Sequence, residues 1–356
     1  MIEMTPSYEH LIRLSDEVGI FEHADHAIPR LEHGYCVDDV ARALVVVSRE
    51  TRPDATLRAL GLRYVEFIAN SQSANGLVRN RCDFDGVWSG KASAGDWWGR
   101  ALWGLGTAAA RSLDDDVRAL ARRRFEVSAS IRPSYRRPLA FAALGAAEIL
   151  AVDPGHRSAR LLLASVPDMI GQPTGRRAWP WPEGRLTYAN AVLPESLIAA
   201  GELLDDAQAL ADGLELLEWL LGAETRDSHL SVTPASGWRI GEPRPGFDQQ
   251  PIEVAALADA CARALRVTGD PRWARGIEMA IAWFCGDNDV GVSLIDPLTG
   301  GGCDGLQPTG RNENQGAEST LAMLATLQYA ATVDPRHELV APVHPTIVSP
   351  ARAVRI

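Results

Sequence analysis

The chain has 356 residues, 46% of them hydrophobic, enough to bury one large core or two ordinary ones. Its formal net charge is -11, and its Arg residues are dispersed among more numerous acids, which argues against a nucleic acid partner and for a neutral one. Cys36, Cys82, Cys261, Cys285 and Cys303 form no CxxC pair and suggest neither a disulfide framework nor a zinc site.

The first ten residues have no basic stretch followed by an apolar one, and no apolar run reaches membrane-spanning length. A soluble, cytoplasmic protein with no membrane contact is expected. Residues 6–17 then carry Tyr8, Leu11, Ile12 and Leu14 on one face, the pattern of a helix half exposed to water. Residues 19–33 have no helical period, and Pro29 predicts an extended or turning path.

Gly34-Tyr-Cys-Val-Asp-Asp-Val-Ala-Arg-Ala-Leu44 begins a helix rich in small and apolar residues, and its grammar returns five more times. The later stretches start at Gly95, Arg137, Leu193, Gln250 and Gln315. Each holds few charges, as a helix buried on most sides does. Between them lie more charged, amphipathic segments near 55–71, 115–129, 156–170, 206–222 and 271–285. Six inner helices alternating with six outer ones, counting 6–17, predict an all-α fold, the (α/α)6 toroid of six helical hairpins. An open α-solenoid fits the same alternation, but its repeats are more uniform than these, which are 42 to 65 residues apart. The toroid is expected over 1–333, followed by a Pro-rich extended tail over 334–356.

Inner-to-outer turns are short, whereas 18–34, 72–94, 171–192, 223–248 and 286–312 are long. In a ring of hairpins these long loops share one rim, where function tends to sit. Two small β excursions are predicted there, 229–233 with 237–240 and 290–295 with 297–302.

Asp38, Asp39, Asp96, Glu195, Glu253, Glu313 and Glu318 lie in or just before the first turns of inner helices. Acids there favour the helix dipole by about 0.3–1 kcal/mol, and Asp38 with Arg42 and Asp96 with Arg100 have the spacing of helix ion pairs. As a set in nearly uncharged helices they also suit chemistry, because a buried carboxylate needs a reason. Trp88, Trp97, Trp98, Trp179, Trp181 and Trp238 fall in the long loops or at inner-helix starts. Carboxylates beside indoles suit a carbohydrate, whose hydroxyls meet acceptors and whose C–H faces lie on rings. The stretch 310–318 adds Arg311, Asn314, Gln315 and Glu318 as polar groups for binding such a substrate. His23, His26 and His33 cluster without helical spacing, so no metal is expected, and no phosphate loop or nucleophile elbow implies a cofactor.

Residues 10–23, Pro29-Arg30 and the stretch from His33 to Leu44, with Asn312-Glu-Asn-Gln-Gly-Ala-Glu-Ser-Thr-Leu-Ala322, resemble a bacterial family of the six-hairpin glycosidase-like superfamily. Its motif reads GYCxDDxARAL, and its members are often fused or adjacent to glycosyltransferases. The family pattern has Asn after the paired Asp, where this chain has Val40. The resemblance implies the toroid, carbohydrate chemistry, a glycosyltransferase partner, and Asp38, Asp39 and Glu318 as candidate acids.

Three functions fit. An inverting glycoside hydrolase, or a related phosphorylase, needs two carboxyl groups about 6.5–9.5 Å apart, and side chains from different inner helices suit that span. Phosphorolysis also needs an anion subsite, for which Arg136, Arg137 and Arg311 are available. A sugar epimerase or isomerase would use His, and only His33 lies by an inner-helix start. A non-catalytic glycan-binding partner of a glycosyltransferase would keep the Trp residues alone. Asp39 and Glu195 are followed four residues on by Ala43 and Ala199, so they are expected to be unpartnered, with raised pKa values, and to form the catalytic pair. Asp96 and Glu253 are the second pair.

Overall fold

The six small-residue stretches become six inner helices, and a computed structural model, which describes residues 6–333, closes them into a ring. In chain order the helices are α1 (Glu9–Arg13), α2 (Val37–Arg49), α3 (Ala55–Ser71), α4 (Asp96–Arg111), α5 (Asp115–Ser128), α6 (Arg136–Val152), α7 (Arg157–Leu163), α8 (Val166–Ile170), α9 (Val192–Leu204), α10 (Ala207–Ala223), α11 (Pro251–Thr268), α12 (Pro271–Phe284), α13 (Ala317–Leu327) and α14 (Ala330–Val333). The inner ring runs α2, α4, α6, α9, α11, α13, each packed on the next, and α13 packs back on α2. That last contact makes the protein an (α/α)6 toroid and excludes the open solenoid. Gln328 strengthens the seam by donating to the Val46 carbonyl at 2.8 Å. The expected tail over 334–356 lies outside the described residues.

Small residues in the inner helices let backbones meet. Gly106 of α4 and Gly145 of α6 face each other so closely that a Cβ on either would strike the other helix's backbone. An overpacked methyl there has no room to relax, so the grammar of the repeat is a packing requirement. The fourth outer segment, predicted as one helix over 156–170, is broken into α7 and α8. Pro167 has no N–H for the Leu163 carbonyl, and its ring blocks a continuous helix at that turn.

The two rims are built differently. At the short-turn rim Asp54, Asp114, Asp206 and Asp270 cap outer helices by accepting from backbone N–H groups two or three residues on. None of the six inner helices has a side-chain bond from its N-cap residue. Their free amides are met from other elements: Asn80 accepts from Val37 N at 3.1 Å and Asp304 from Gly316 N at 2.8 Å. The long loops are thereby tied down over the inner-helix starts.

Strand pairing in those loops differs from expectation. His229–Leu230 pairs with Thr225–Arg226, while Trp238–Arg239 pairs with Arg185–Leu186 from the preceding long loop. Gly305–Gln307 pairs with Gly310–Asn312, and 290–302 contributes one bridge, Ile295 to Gly302. Residues 237–240 found a partner more than fifty residues away, which local patterning cannot reveal.

Candidate active site

All six inner helices line one opening along the ring axis. Four charged side chains face it: Arg42 of α2, Arg100 of α4, Glu195 of α9 and Asp259 of α11. The two arginines lie toward the inner-helix starts. Arg42 pairs with Asp39 one turn back on its own helix and with Glu318 of α13 at 2.6 Å. Arg100 donates to Asp38 at 2.8 Å, and its guanidinium stands 4.4 Å from the centre of the Phe141 ring. Asn80 holds the other Asp38 oxygen at 3.0 Å.

Glu195 and Asp259 lie deeper. Glu195, in the first turn of α9, meets Arg263, the thirteenth residue of α11, at 3.2 Å, so α9 begins well below the rim. Asp259 accepts on Oδ1 from Arg49 at 2.7 Å and from the Tyr329 hydroxyl at 2.6 Å. The Arg49 guanidinium lies 5.7 Å from the Trp103 ring. Burial pushes the Glu195 carboxyl up to about 7 against the pull of Arg263, and the nearby Asp259 charge adds to the rise.

Above Glu195, Glu253 of α11 serves the chain leading into α9. It accepts from Ala189 N, from Asn190 N at 3.1 Å and from the Asn190 side chain at 3.0 Å. Burial, then the neighbouring Glu224, pushes its carboxyl up to about 8. Glu224 itself is raised to about 7 by burial, with Thr233 donating to one oxygen and the other, Oε2, left without a partner among the described residues.

Several expectations are corrected by this geometry. Arg42 bonds Asp39 rather than Asp38, and Arg100 bonds Asp38 rather than Asp96, because the side chains reach across to neighbouring turns and helices. Asp39 and Glu195 are both partnered, by Arg42 and Arg263. Asp39 is nevertheless raised to about 6, since burial outweighs the arginine. Both Asp39 oxygens are engaged, one by Arg42 and one by the Cys36 thiol at 3.1 Å, and Asp39 does not line the opening. Asp96 accepts from the Tyr188 hydroxyl at 2.6 Å.

The indoles are also elsewhere. Trp98 is fully buried and Trp179 nearly so. Trp97 donates to the Val78 carbonyl, Trp88 packs on Phe67, and Trp238 donates to the Glu242 carbonyl while meeting Trp179 edge-on. The indole that lines the opening is Trp103, from a helix body. Arg311, Asn314 and Gln315 are committed to loops: Arg311 donates to the Ser293 carbonyl and Gln315 bonds Asp296 and Thr299 within the loop before α13, while Asn314 accepts from His26 N across the seam between the ends of the ring. Arg136 and Arg137 are likewise engaged, with the Met169 carbonyl and with Glu183, Tyr188 and Asn190. The arginines considered for an anion subsite are thus committed to loops. Asp259, Arg49, Arg263, Glu224 and Tyr188 escaped the sequence reading. A charged residue inside an alanine-rich inner helix, as at Asp259, is the signal that marks such a position.

No described histidine lines the opening: His33 packs edge-on against His23, His10 bonds the Gln315 carbonyl and His229 bonds Asp289. One described group has metal-binding spacing, Glu22, Cys36 and Asp39, with ligating atoms within 4.8 Å of one another. Arg81 and Arg42 already neutralise its acids, and burial raises the Cys36 thiol, opposing the thiolate a metal needs. No described helix is long and apolar enough to cross a membrane.

A scan against known protein families found no match, and a search of curated proteins found none. Solved structures do match. A sugar epimerase from a ruminal bacterium aligns with a TM-score of 0.68 and 14% identity, covering 92% of this chain and 96% of that one. The cellobiose 2-epimerase of Bacillus thermoamylovorans B4167 aligns at 0.68 with 9% identity, covering 92% and 95%. A metagenome-derived glycoside hydrolase family 9 endoglucanase aligns at 0.53 with 11% identity, covering 87% and 70%. At such identities the likeness establishes the shared toroid fold.

Proposed function

We propose that the protein is a carbohydrate-active enzyme, an inverting glycoside hydrolase whose saccharide sits in the axial opening. The observation that carries this reading is the pair of buried carboxyl groups, Glu195 and Asp259, facing that opening from adjacent inner helices. Glu195 is the general acid: raised to about 7, it holds a proton near neutral pH and gives it to the glycosidic oxygen as the C1–O bond breaks. Asp259 replaces Asp39 as the second carboxylate. Arg49 and Tyr329 both donate to its Oδ1, which leaves Oδ2 to take a proton from the water that attacks C1. Arg42 and Arg100 face the same space and meet sugar hydroxyls.

Epimerisation is the second reading, favoured by the higher TM-scores of the two epimerases. Against it, that reading calls for His as the acid and base, and no described histidine lines the opening. A glycosyltransferase partner rests on the sequence resemblance alone.

Incubation with a panel of cello-, manno- and malto-oligosaccharides, followed by proton NMR, tests the reading. Shorter sugars released with inverted anomeric configuration are expected. A product of unchanged length with an inverted C2 centre would establish the epimerase instead, and unchanged sugars throughout would overturn both.

A further inference from the structure

The residues leading into α9 hold one exposed aromatic side chain in an unusually constrained setting. Tyr188 is 40% exposed, and its neighbour Ala189 lines the axial opening. Its hydroxyl is fixed on Asp96 of α4 at 2.6 Å, and one ring face lies 5.0 Å from the guanidinium of Arg137, a buried residue in the first turn of α6. Arg137 also donates to the Tyr188 carbonyl at 2.7 Å and to the Asn190 side chain at 3.1 Å.

The backbone beneath the ring is equally constrained. Asn190 accepts from Thr187 N at 2.9 Å, and Glu253 accepts from the backbone amides of Ala189 and Asn190. Ala189 has φ +44, a left-handed conformation that alanine adopts only when its surroundings hold it there. Tyr188 therefore spans the starts of α4 and α6 with its orientation set from three sides. A ring that merely filled space would be buried, and one that merely decorated a loop would not be held. Tyr135, the residue before α6 and 75% exposed, has no such bond or ring contact among the described residues.

We propose that Tyr188 is the aromatic platform of a second saccharide subsite at the rim of the opening, taking the C–H face of a sugar unit away from the reacting bond, and that Asp96 positions it. This rests on the reading of the opening as a saccharide site. Fixing the ring beforehand means that little conformational freedom is lost when a sugar stacks on it. The subsite makes the protein an enzyme for chains longer than a disaccharide, and Asp96 acts on substrate only through Tyr188.

Calorimetric titration of the whole protein with di- and tetrasaccharides of the cello, manno and malto series tests this, using the parent, Tyr188→Ala, Tyr188→Phe and Asp96→Asn. For the series the parent binds, Tyr188→Ala is expected to weaken tetrasaccharide affinity roughly tenfold, about 1.4 kcal/mol, and disaccharide affinity by much less. Tyr188→Phe and Asp96→Asn keep the ring but loosen it, and are expected to lose about two- to threefold, with every melting temperature at the parent value. Equal tetrasaccharide affinity for parent and Tyr188→Ala would overturn the subsite while leaving the enzyme reading intact. So would equal losses for both chain lengths, which mark a structural role. If the parent bound no saccharide of the panel, the reading of the opening would fail and the subsite with it.

Discussion

Two pairs of buried carboxyl groups stand on the same side of the ring and do opposite work. Glu195 and Asp259 are met by the arginines Arg263 and Arg49 and line the opening. Glu253 and Glu224 are met mainly by amides and a threonine hydroxyl, and they hold loop backbone in place. Burial raises the carboxyl groups of Glu195, Glu224 and Glu253 alike, so a raised pKa alone does not separate the pairs. What separates them is the surface each presents: a carboxyl group facing open space can pass a proton to a ligand, and one facing backbone amides can only fix a loop.

The sharpest way to break this contrast is to neutralise one acid of each pair. Glu195→Gln and Asp259→Asn are each expected to lower kcat by about 10²–10⁴-fold, the range of general acid–base groups, in steady-state assays on whichever oligosaccharide the parent cleaves. Arg263 keeps Glu202 at 3.7 Å, so Glu195→Gln leaves no isolated charge and the fold should hold. Glu253→Ala is expected instead to cost stability, about 1–3 kcal/mol for each buried amide left without an acceptor, seen in denaturant unfolding. Should the Glu253 variant lose more turnover than the Glu195 variant, the two roles would have to be exchanged.

Acidity sharpens the contrast in two further ways. As a general acid Glu195 must be protonated, so kcat is expected to fall as pH rises through about 7, and this limb disappears in Glu195→Gln. The rim pair reports through stability. Glu224 and Glu253 are raised from 4.5 to about 7 and about 8, so the folded state holds their protons more tightly than the unfolded chain. Their contribution is full below pH 4.5 and is lost as pH rises through 7 to 8. Melting temperatures followed across that window should decline in the parent and decline less in Glu224→Gln. An unchanged slope in that variant would show that the rim pair does not take up a proton on folding.

The six-fold alternation of helices was legible in the sequence because amphipathic period and small-residue content are local properties. Gly106 and Gly145 belong to that record, since inner helices can approach only where side chains are absent. The position of acids in first turns was legible for the same reason. Which cation meets which acid was not. Arg42 with Glu318 and Arg49 with Asp259 are 276 and 210 residues apart, and each pair exists only because the ring closes and sets the depth of its helices. The deep start of α9 likewise brings Glu195 to Arg263, while Glu253, in an equivalent first turn, is left to hold Ala189 and Asn190. Periodicity fixes the face a helix buries, but its axial displacement in the ring depends on loop docking summed over the whole chain, and that displacement decides what each buried charge can touch.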